Sequence, residues 1–302
     1  MRIGLAATSP DLEELITQAK GMEADGFSSL WFGYGIQHDP IAAMAVIGRE
    51  TTTLELGTSV LQTYPCHPLL QANRAASVVS AIGRGMTLGI GPSHKELIED
   101  VCGIPYDHPG RSTEEYTQIL AQLLRGERVD FDGDDWTLHL DDPIALAHRV
   151  PLMLSAMSPR MLRIAGELTD GTITFLARAN TLESHIVPRI RAAADAAGRP
   201  EPRIVVGVSV AVHDDPSEVR AAMVRRAAIV DPLPNYRRVL DMGGFDSAAD
   251  TVITGDAAYV KRELQNLLDA GATEVWTGIT AAGDDPATSR RRTMDTLREL
   301  VA

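Results

Sequence analysis

The sequence predicts a (β/α)8 barrel with insertions after its fourth and seventh strands. Short, nearly continuous apolar runs alternate with amphipathic helical periodicity along all 302 residues. That alternation is the pattern of a parallel sheet covered by helices. Eight such units occur, which is the number that a closed barrel of this type requires. A doubly wound open sheet is the alternative arrangement of the same units.

Each predicted strand is a short apolar run, and each is followed by a segment with helical periodicity. The strands span residues 2–7, 27–32, 54–60, 86–91, 151–155, 171–175, 203–212 and 274–279. The helices span residues 11–25, 40–50, 69–82, 113–125, 159–168, 182–197, 217–230 and 287–301. Ser9-Pro10-Asp11 supplies the cap of the first helix.

Two segments do not fit the simple alternation. RVDFDGDDWTLHL (residues 128–140) alternates around Asp-Gly, which predicts an inserted hairpin. Further helix is expected after residue 230, before the last strand. Because no low-complexity linker interrupts the chain, we expect residues 1–302 to form one barrel domain.

Composition and charge narrow the class of protein. The formal net charge of -13 argues against nucleic acid or an anionic membrane surface as a partner. No apolar stretch approaches the ~18 residues of a membrane span, and the acidic N-terminal segment is not a signal peptide. Cys66 and Cys102 lack CxxC spacing and are expected to be free thiols. These features predict a soluble cytoplasmic protein that acts on a small molecule.

In a barrel of this kind, chemistry collects at the C-terminal ends of the strands. The predicted ends are Ala6-Ala7-Thr8, Phe32-Gly33-Tyr34, Thr58-Ser59-Val60, Gly91-Pro92-Ser93-His94, Ser155-Ala156-Met157-Ser158, Thr174-Phe175, Val210-Ala211 and Gly278-Ile279. They hold no pair of carboxylates on neighbouring strands and no metal-binding cluster. Small residues and hydroxyls predominate, which suits a site where a planar cofactor supplies the reactivity.

The glycines around Gly89 and Gly91 resemble a dinucleotide-binding fingerprint only in part. His94 stands where the last glycine of GxGxxG should be, so we expect these glycines to serve tight strand packing instead. His94 is also the histidine that immediately follows a predicted strand end. It could exchange a proton near neutral pH, although a histidine in a loop can equally be a packing residue.

Ser155-Ala156-Met157-Ser158 followed by Pro159 is a candidate phosphate site. Small residues end a strand there, and Pro159 suits the first turn of a helix. Free backbone N–H groups and the positive helix end would face an anion. A plain capped turn between strand and helix is the alternative interpretation.

Several strings, in order along the chain, carry a family resemblance. They are EADGFSSLWF (23–32), LELGTSVLQTYPCHP (54–68), GRGMTLGIGPSH (83–94), SPRMLRIAGELTDGTITF (158–175), HIVPRI (185–190) and PNYRRVLD (234–241). The chain resembles the luciferase-like monooxygenase superfamily, in its actinobacterial branch of oxidoreductases that use the deazaflavin coenzyme F420. The resemblance covers nearly the whole chain.

The resemblance implies a distinct geometry at the end of the third strand. It implies a non-prolyl cis peptide between Ser59 and Val60, with Val60 behind the central ring of a flavin or deazaflavin. Thr58, Gly91 and Ser93 are expected beside the cofactor, and Ser155, Ala156, Met157 and Ser158 at its phosphate. Thr174 and Phe175 are also expected to contact it.

The same resemblance suggests which side chains act on the substrate. His94 occupies the place of a catalytic glutamate in the related deazaflavin-dependent sugar-phosphate dehydrogenase, and Tyr64 is the other candidate for proton transfer. Phe32, Tyr34 and His67 are expected to line the substrate pocket. After strand two, many relatives carry an Asp-His or similar polar pair, whereas this chain has Phe32-Gly33-Tyr34. The acid–base pair of the dehydrogenase is therefore not carried over to this chain.

The resemblance therefore implies an enzyme that transfers a hydride between F420 and an activated alkene, an imine or an alcohol. A homodimer is expected from the superfamily. An FMN-dependent monooxygenase is the alternative enzyme, and a non-catalytic cofactor-binding protein is the alternative of another class. Arg178 and Arg237 are candidates for binding the acidic tail of F420.

Overall fold

The computed structural model describes residues 1–33 and 39–302. Their strands are β1 (Ile3–Ala6), β2 (Ser29–Phe32), β3 (Glu55–Thr58), β4 (Leu61–Gln62), β5 (Leu88–Gly91), β6 (Val129–Asp132), β7 (Thr137–Leu140), β8 (Leu152–Leu154), β9 (Gly171–Phe175), β10 (Arg203–Val212), β11 (Ile253–Gly255) and β12 (Glu274–Ile279). Tyr34, predicted in the substrate pocket, lies outside the described residues.

The main sheet is parallel, and its two ends meet. Its strand order is β3-β2-β1-β12-β10-β9-β8-β5-β4, and β11 adds to β10. A bridge between Gly57 and Thr87 joins β3 to the segment entering β5. There the Thr58 N–H donates to the Thr87 carbonyl (3.1 Å), and the Thr87 N–H donates to the Leu56 carbonyl (2.9 Å). The predicted barrel is confirmed, and the open sheet is wrong.

Helices cover the outside of the barrel. They are α1 (Leu12–Asp25), α2 (Pro40–Glu50), α3 (Pro68–Ile82), α4 (Pro109–Leu124), α5 (Pro159–Leu168), α6 (Ala179–Thr181), α7 (Val187–Ala196), α8 (Pro216–Val230), α9 (Pro234–Gly243), α10 (Ala257–Asp269) and α11 (Pro286–Val301). Asp11 caps α1 as expected, since its carboxylate accepts the Glu14 N–H at 3.0 Å. Among the residues described, no helix has the length and apolar character needed to cross a membrane.

Both predicted insertions are present. β6 and β7 form the antiparallel hairpin between α4 and β8. The second insertion is more structured than the sequence indicated, because α9, β11 and α10 all lie between α8 and β12. β11 is only three residues long and pairs with β10 alone. A strand of that length is too short to show a period-2 pattern.

A polar network closes the N-terminal end of the barrel. The guanidinium of Arg2 contacts the carboxylates of Glu55 (2.8 Å) and Glu274 (3.0 Å), and Arg203 contacts the same two (3.1 and 3.2 Å). Burial raises the pKa of Glu55, but the charge of Arg203 and the hydrogen bond from Thr87 outweigh it and bring the pKa below its ordinary value. Charged pairs thus occupy the end of the barrel opposite the strand ends where chemistry is expected.

Two tryptophans fill the barrel interior above this network. Trp31 stands in register with Gly57 on the next strand, and Trp276 with Gly207. A Cβ atom added at Gly57 would lie 2.5 Å from the Trp31 ring, and one at Gly207 would lie 2.2 Å from the Trp276 ring. The indole rings therefore occupy space that only glycine leaves open. Together they form the floor of the cavity described next.

Candidate active site

A cavity of about 440 Å³ opens at the C-terminal ends of the barrel strands, and we call it the main chamber. A smaller compartment of about 100 Å³ adjoins it at the start of α5, and we call it the side compartment. The residues that border both are Val60, Gly91, Ser93, His94 and Tyr236. The strand-end location agrees with the place where barrels of this type carry their active sites.

The third barrel strand bends at the junction of the two compartments. The Ser59–Val60 peptide is cis and separates β3 from β4. Immediately before it, the Thr58 hydroxyl donates to the Gly89 carbonyl and accepts the Gly89 N–H, both at 2.8 Å. A Cβ atom at Gly89 or at Gly91 would come within 3.1 Å of the Val60 side chain. The prediction that these glycines serve tight packing is confirmed, and Thr58 anchors the bend from beneath, outside the chamber lining.

The loop after β5 presents His94 to both compartments. Ser93, in the left-handed region at φ 67, turns the chain between Gly91 and His94. Its side-chain oxygen accepts a hydrogen bond from Gln62 Nε2 (2.9 Å), and its carbonyl accepts one from the Tyr106 hydroxyl (3.0 Å). Non-glycine residues adopt this conformation only where the surroundings hold them in it. The turn therefore sets the position of His94.

The imidazole of His94 is placed for proton exchange. Burial lowers its pKa from the ordinary value of 6.5, and the charge of Glu96 only partly opposes this. The ring is therefore neutral at neutral pH, with one nitrogen able to donate and the other able to accept. Its centroid lies 5.2 Å from that of Tyr236. Burial likewise raises the pKa of the Tyr236 hydroxyl.

One wall of the main chamber is a column of aromatic rings. Phe175 stacks on Trp276 with the centroids 5.8 Å apart and the planes inclined by 11°. Tyr236 meets Phe175 edge-on at 6.1 Å, and the guanidinium carbon of Arg226 lies 5.0 Å above the Phe175 ring. A cation at that distance is attracted by the face of the ring. Phe175 was predicted at the site, whereas Arg226 and Tyr236 were not.

The side compartment lies where the sequence predicts a phosphate site. Ser155, Met157 and Ser158 line it, and Ser158 caps α5 by accepting the Met161 N–H at 3.4 Å. Two of the expected backbone donors are already engaged, because Ser155 donates to the Ile90 carbonyl (2.8 Å) and Ala156 to the Thr172 hydroxyl (3.2 Å). The Ser155 hydroxyl and the O–H of Ser158 remain to face a ligand. In the first turn of α5, Pro159 has no N–H and the Met161 N–H is taken by Ser158.

Three other predicted pocket residues lie outside the lining of both compartments. The Tyr64 hydroxyl donates to the Asp107 carbonyl at 2.8 Å, and burial raises its pKa to about 12. His67 caps α3, its Nδ1 accepting the Leu69 N–H at 3.2 Å. Phe32 is a core side chain, 4% exposed. Their proximity in sequence to a strand end did not bring them into the chamber.

Thr174 and the two arginines predicted to bind the acidic tail also lie outside the lining of both compartments. Thr174 is buried, and its hydroxyl has no hydrogen-bond partner among the described residues. Arg178 pairs with Glu263 and donates to the Thr251 carbonyl (3.2 Å). Arg237 pairs with Asp241 (2.8 Å) and donates to the carbonyls of Phe245 and Asp246. Both guanidinium groups are therefore engaged within the protein.

Across residues 1–33 and 39–302, no group of three or more histidine, cysteine, aspartate or glutamate side chains is arranged to hold a metal ion. Two polar atoms of the described residues that line the main chamber lack a partner. Gln62 Oε1 and Trp276 Nε1 are buried without a hydrogen-bond partner in the described part of the chain. A buried polar atom without a partner is costly, so these two atoms mark positions where a bound ligand could contribute.

Comparison with known proteins decides the family. The family model for luciferase-like monooxygenase matches residues 2–302. The chain belongs to this family. The resemblance predicted from the sequence strings is thereby confirmed at the level of the family.

Relatives within the luciferase-like family include reductases. Over 244 residues the chain is 29% identical to a 5,10-methylenetetrahydromethanopterin reductase of Methanolobus tindarius, an alignment that covers 80% of this chain and 74% of the relative. The structure of the coenzyme F420-dependent tetrahydromethanopterin reductase of Methanopyrus kandleri superimposes with a TM-score of 0.78 at 22% identity. That superposition covers 96% of each chain and establishes the shared fold.

The luciferase-like fold also hosts flavin enzymes. The oxygenating constituent of 3,6-diketocamphane monooxygenase from Pseudomonas putida, solved in complex with FMN, superimposes with a TM-score of 0.74 at 16% identity. The superposition covers all of this chain and 98% of the other. Membership of the family therefore indicates an oxidoreductase that uses F420 or a flavin.

Proposed function

We propose that this luciferase-like protein is an F420-dependent oxidoreductase. It transfers a hydride between the deazaflavin and a small organic substrate that carries an activated C=C, a C=N or a C–OH/C=O group. The observation that carries the proposal is the pair of joined compartments at the strand ends, with Val60 on the border of both. The reductase relatives favour F420 over FMN.

The residues that line the main chamber and the side compartment suit a flat heterocycle with a phosphate-bearing side chain. Val60 borders both compartments and offers an apolar surface to a ring. Gln62 Oε1 and Trp276 Nε1 are an unpartnered acceptor and an unpartnered donor, which match the N–H and C=O groups along a deazaflavin edge. Ser155 and Ser158 at the start of α5 suit the phosphate.

The proposed cofactor contacts follow the sequence prediction where the geometry permits. Ser59, Val60, Gly91, Ser93 and Phe175 line the main chamber, while Ser155, Met157 and Ser158 line the side compartment. Thr58, Ala156 and Thr174 were also predicted to bind the cofactor, but they lie outside the lining of both compartments. The bound deazaflavin would supply the hydride-carrying carbon, and the protein supplies position and a proton.

His94 is the residue that we assign to proton transfer. Its neutral imidazole can accept a proton from an alcohol or donate one to a newly reduced centre. Tyr236 packs against it and restricts the orientation of the ring. Tyr64 remains a predicted alternative, although its hydroxyl already donates to the Asp107 carbonyl.

The proposal extends to assembly and location. We include the homodimer and the cytoplasmic location that the sequence predicts. Light scattering on the purified protein measures the first, and fractionation of the producing cell measures the second.

A turnover assay tests the proposed function. Reduced F420 is mixed with the protein and a panel of enoates, imines and ketones, and reoxidation of the deazaflavin is followed by its absorbance. Catalysed reoxidation under anaerobic conditions supports the proposal. The reverse reaction is assayed with oxidised F420 and a panel of alcohols. Cofactor binding without turnover in either direction favours the non-catalytic alternative. Substrate oxidation that requires reduced FMN and oxygen favours the monooxygenase.

A further inference from the structure

We propose that Arg226 binds an anionic group of the substrate, so that the preferred substrates are organic anions such as carboxylates. The inference rests on the proposed function, because it concerns the substrate side of the same chamber. It begins from the charge of the lining. Among the described residues that line the two compartments, Arg226 alone carries a permanent charge, and none is acidic. The undescribed residues 34–38, YGIQH, include no acid either.

Arg226 combines a place in the chamber lining with the absence of a carboxylate partner. Arg178 pairs with Glu263, Arg237 with Asp241, and Arg220 approaches Asp250 at 4.0 Å. In the described part of the chain, Arg226 makes no ion pair, and its recorded contact is with the face of Phe175. That contact leaves the N–H edges of the guanidinium free, and these edges match the two oxygens of a carboxylate.

The guanidinium remains charged in this setting. The surrounding protein lowers its pKa from the ordinary value, and the interaction with Tyr236 partly opposes this. Arginine starts so far above neutral pH that it stays protonated in proteins. Residue 226 is nevertheless exposed, and its side chain lines the main chamber. A ligand entering the chamber can therefore reach it.

The division of the cavity assigns this charge to the substrate rather than to the acidic tail of the cofactor. Arg226 lines the main chamber and not the side compartment, whereas Ser155 and Ser158 line the side compartment and not the main chamber. His94 and Tyr236 border both and stand between these two regions. A cofactor whose phosphate occupies the side compartment leaves Arg226 facing the substrate, with His94 next to the reacting group.

Matched probes test the assignment directly. Benzoate and benzamide have nearly the same shape and differ in charge, and calorimetry measures their binding to the protein with and without F420. We expect benzoate to bind about tenfold or more tightly than benzamide to the wild type, as a charge-assisted pair permits. Arg226→Met should abolish this preference and Arg226→Lys should restore part of it. Arg225→Met, which alters an exposed neighbour outside the lining, should keep it.

A second titration separates the substrate from the cofactor tail. F420 and its tail-less deazaflavin are titrated into the wild type and Arg226→Met, with circular dichroism and thermal melting confirming that the variant folds. We expect each cofactor to bind Arg226→Met as tightly as it binds the wild type. A loss of affinity for F420 alone would assign Arg226 to the tail and overturn the inference. Failure of benzoate to bind the wild type, or a benzoate preference that survives in Arg226→Met, would overturn it too.

The two proposals fail in different ways. Preference of the protein for FMN over F420 would remove the proposed function while leaving the benzoate result intact. Conversely, F420 turnover with neutral substrates and no benzoate preference would keep the function and remove the role of Arg226.

Discussion

The rings of His94 and Tyr236 lie 5.2 Å apart where the main chamber meets the side compartment. Both side chains are buried enough to shift their pKa values, His94 downward and Tyr236 upward, so both are neutral at neutral pH. One comes from the loop after β5 and the other from α9 in the second insertion. The pair therefore joins the barrel to its insertion at the point where we place the chemistry.

Replacing His94 by asparagine should reduce turnover far more than binding. Asparagine keeps a polar side chain but cannot exchange a proton, and general acid–base groups contribute about 10²-fold or more to rate. We expect kcat to fall by about that factor while F420 affinity stays within a few-fold. Anaerobic steady-state kinetics with reduced F420, paired with a fluorescence titration, measures both quantities.

Tyr64→Phe is the matched control for His94→Asn. Tyr64 lies outside the lining of both compartments, and its hydroxyl is engaged with the Asp107 carbonyl. We expect kcat within a few-fold of the wild type. If Tyr64→Phe lost activity and His94→Asn did not, the assignment of the proton-transfer residue would pass to Tyr64.

The lowered pKa of His94 predicts how stability depends on pH. The unfolded chain protonates this histidine near 6.5, whereas the folded chain does so only at lower pH. The contribution of His94 to the free energy of unfolding should therefore be greatest above about pH 6.5 and fall as the pH drops toward the folded pKa. His94→Asn should show a smaller loss than the wild type when urea denaturation is compared at about pH 7.5 and about pH 5.5.

His139 provides a control of opposite sign. Its hydrogen bond with Asp130 raises its pKa, so its contribution to stability is present below about pH 6.5 and lost as the pH rises through the folded pKa. His139→Asn should thus enlarge the acid-induced loss or leave it unchanged. The same pH response in both variants would show that burial of His94 does not cause the effect.

Gly89→Ala should disturb the bend that supports the site. A Cβ atom at Gly89 would lie 2.1 Å from the Thr58 carbonyl and 2.5 Å from the Ile173 side chain, so strands must move apart. We expect a destabilisation of about 1–3 kcal/mol, as for other overpacked cores, together with weaker F420 binding. Gly278→Ala is the control, because a Cβ atom there meets no heavy atom within 4 Å. Equal stability of the two variants would argue against tight packing.

Glu274→Gln should weaken the polar network that closes the N-terminal end of the barrel. The Glu274 side chain is 1% exposed and contacts Arg2, Arg203, Ser29 and Trp31. Removing its charge leaves the two guanidinium groups with one carboxylate, and we expect a loss of about 2 kcal/mol or more in urea denaturation. Glu201→Gln breaks an exposed pair with Arg191 and should change stability little. A similar loss of stability in both variants would contradict a structural role for this network.

The barrel could be predicted from local patterns, and its bend from the family resemblance. Alternation of apolar strands and amphipathic helices specifies the eight units, and the strings around Ser59 and Gly89 carry the family pattern. The predicted boundaries of the eight strands agree with those in the structure to within a few residues. The strand that was predicted as continuous over residues 54–60 is divided, since the cis peptide separates β3 from β4.

The chamber itself was only partly predictable, because much of its wall comes from elsewhere in the chain. Arg226 lies on α8, and Tyr236 lies on α9 in the second insertion. No local pattern shows that these two helices contribute side chains to the chamber. The Trp31–Gly57 and Trp276–Gly207 pairs did leave a signal, namely a large residue opposite glycine on an adjacent strand. Reading it requires the strand register, which the sequence alone does not supply.

The most direct test of the account is a paired titration of the purified protein with F420 and with FMN, followed by fluorescence quenching. The account predicts that F420 binds more tightly than FMN by about tenfold or more, and that Gly89→Ala weakens the binding of F420. Tighter binding of FMN would contradict the proposed function and indicate flavin chemistry. Binding of neither would remove the roles assigned to Ser59, Val60 and His94.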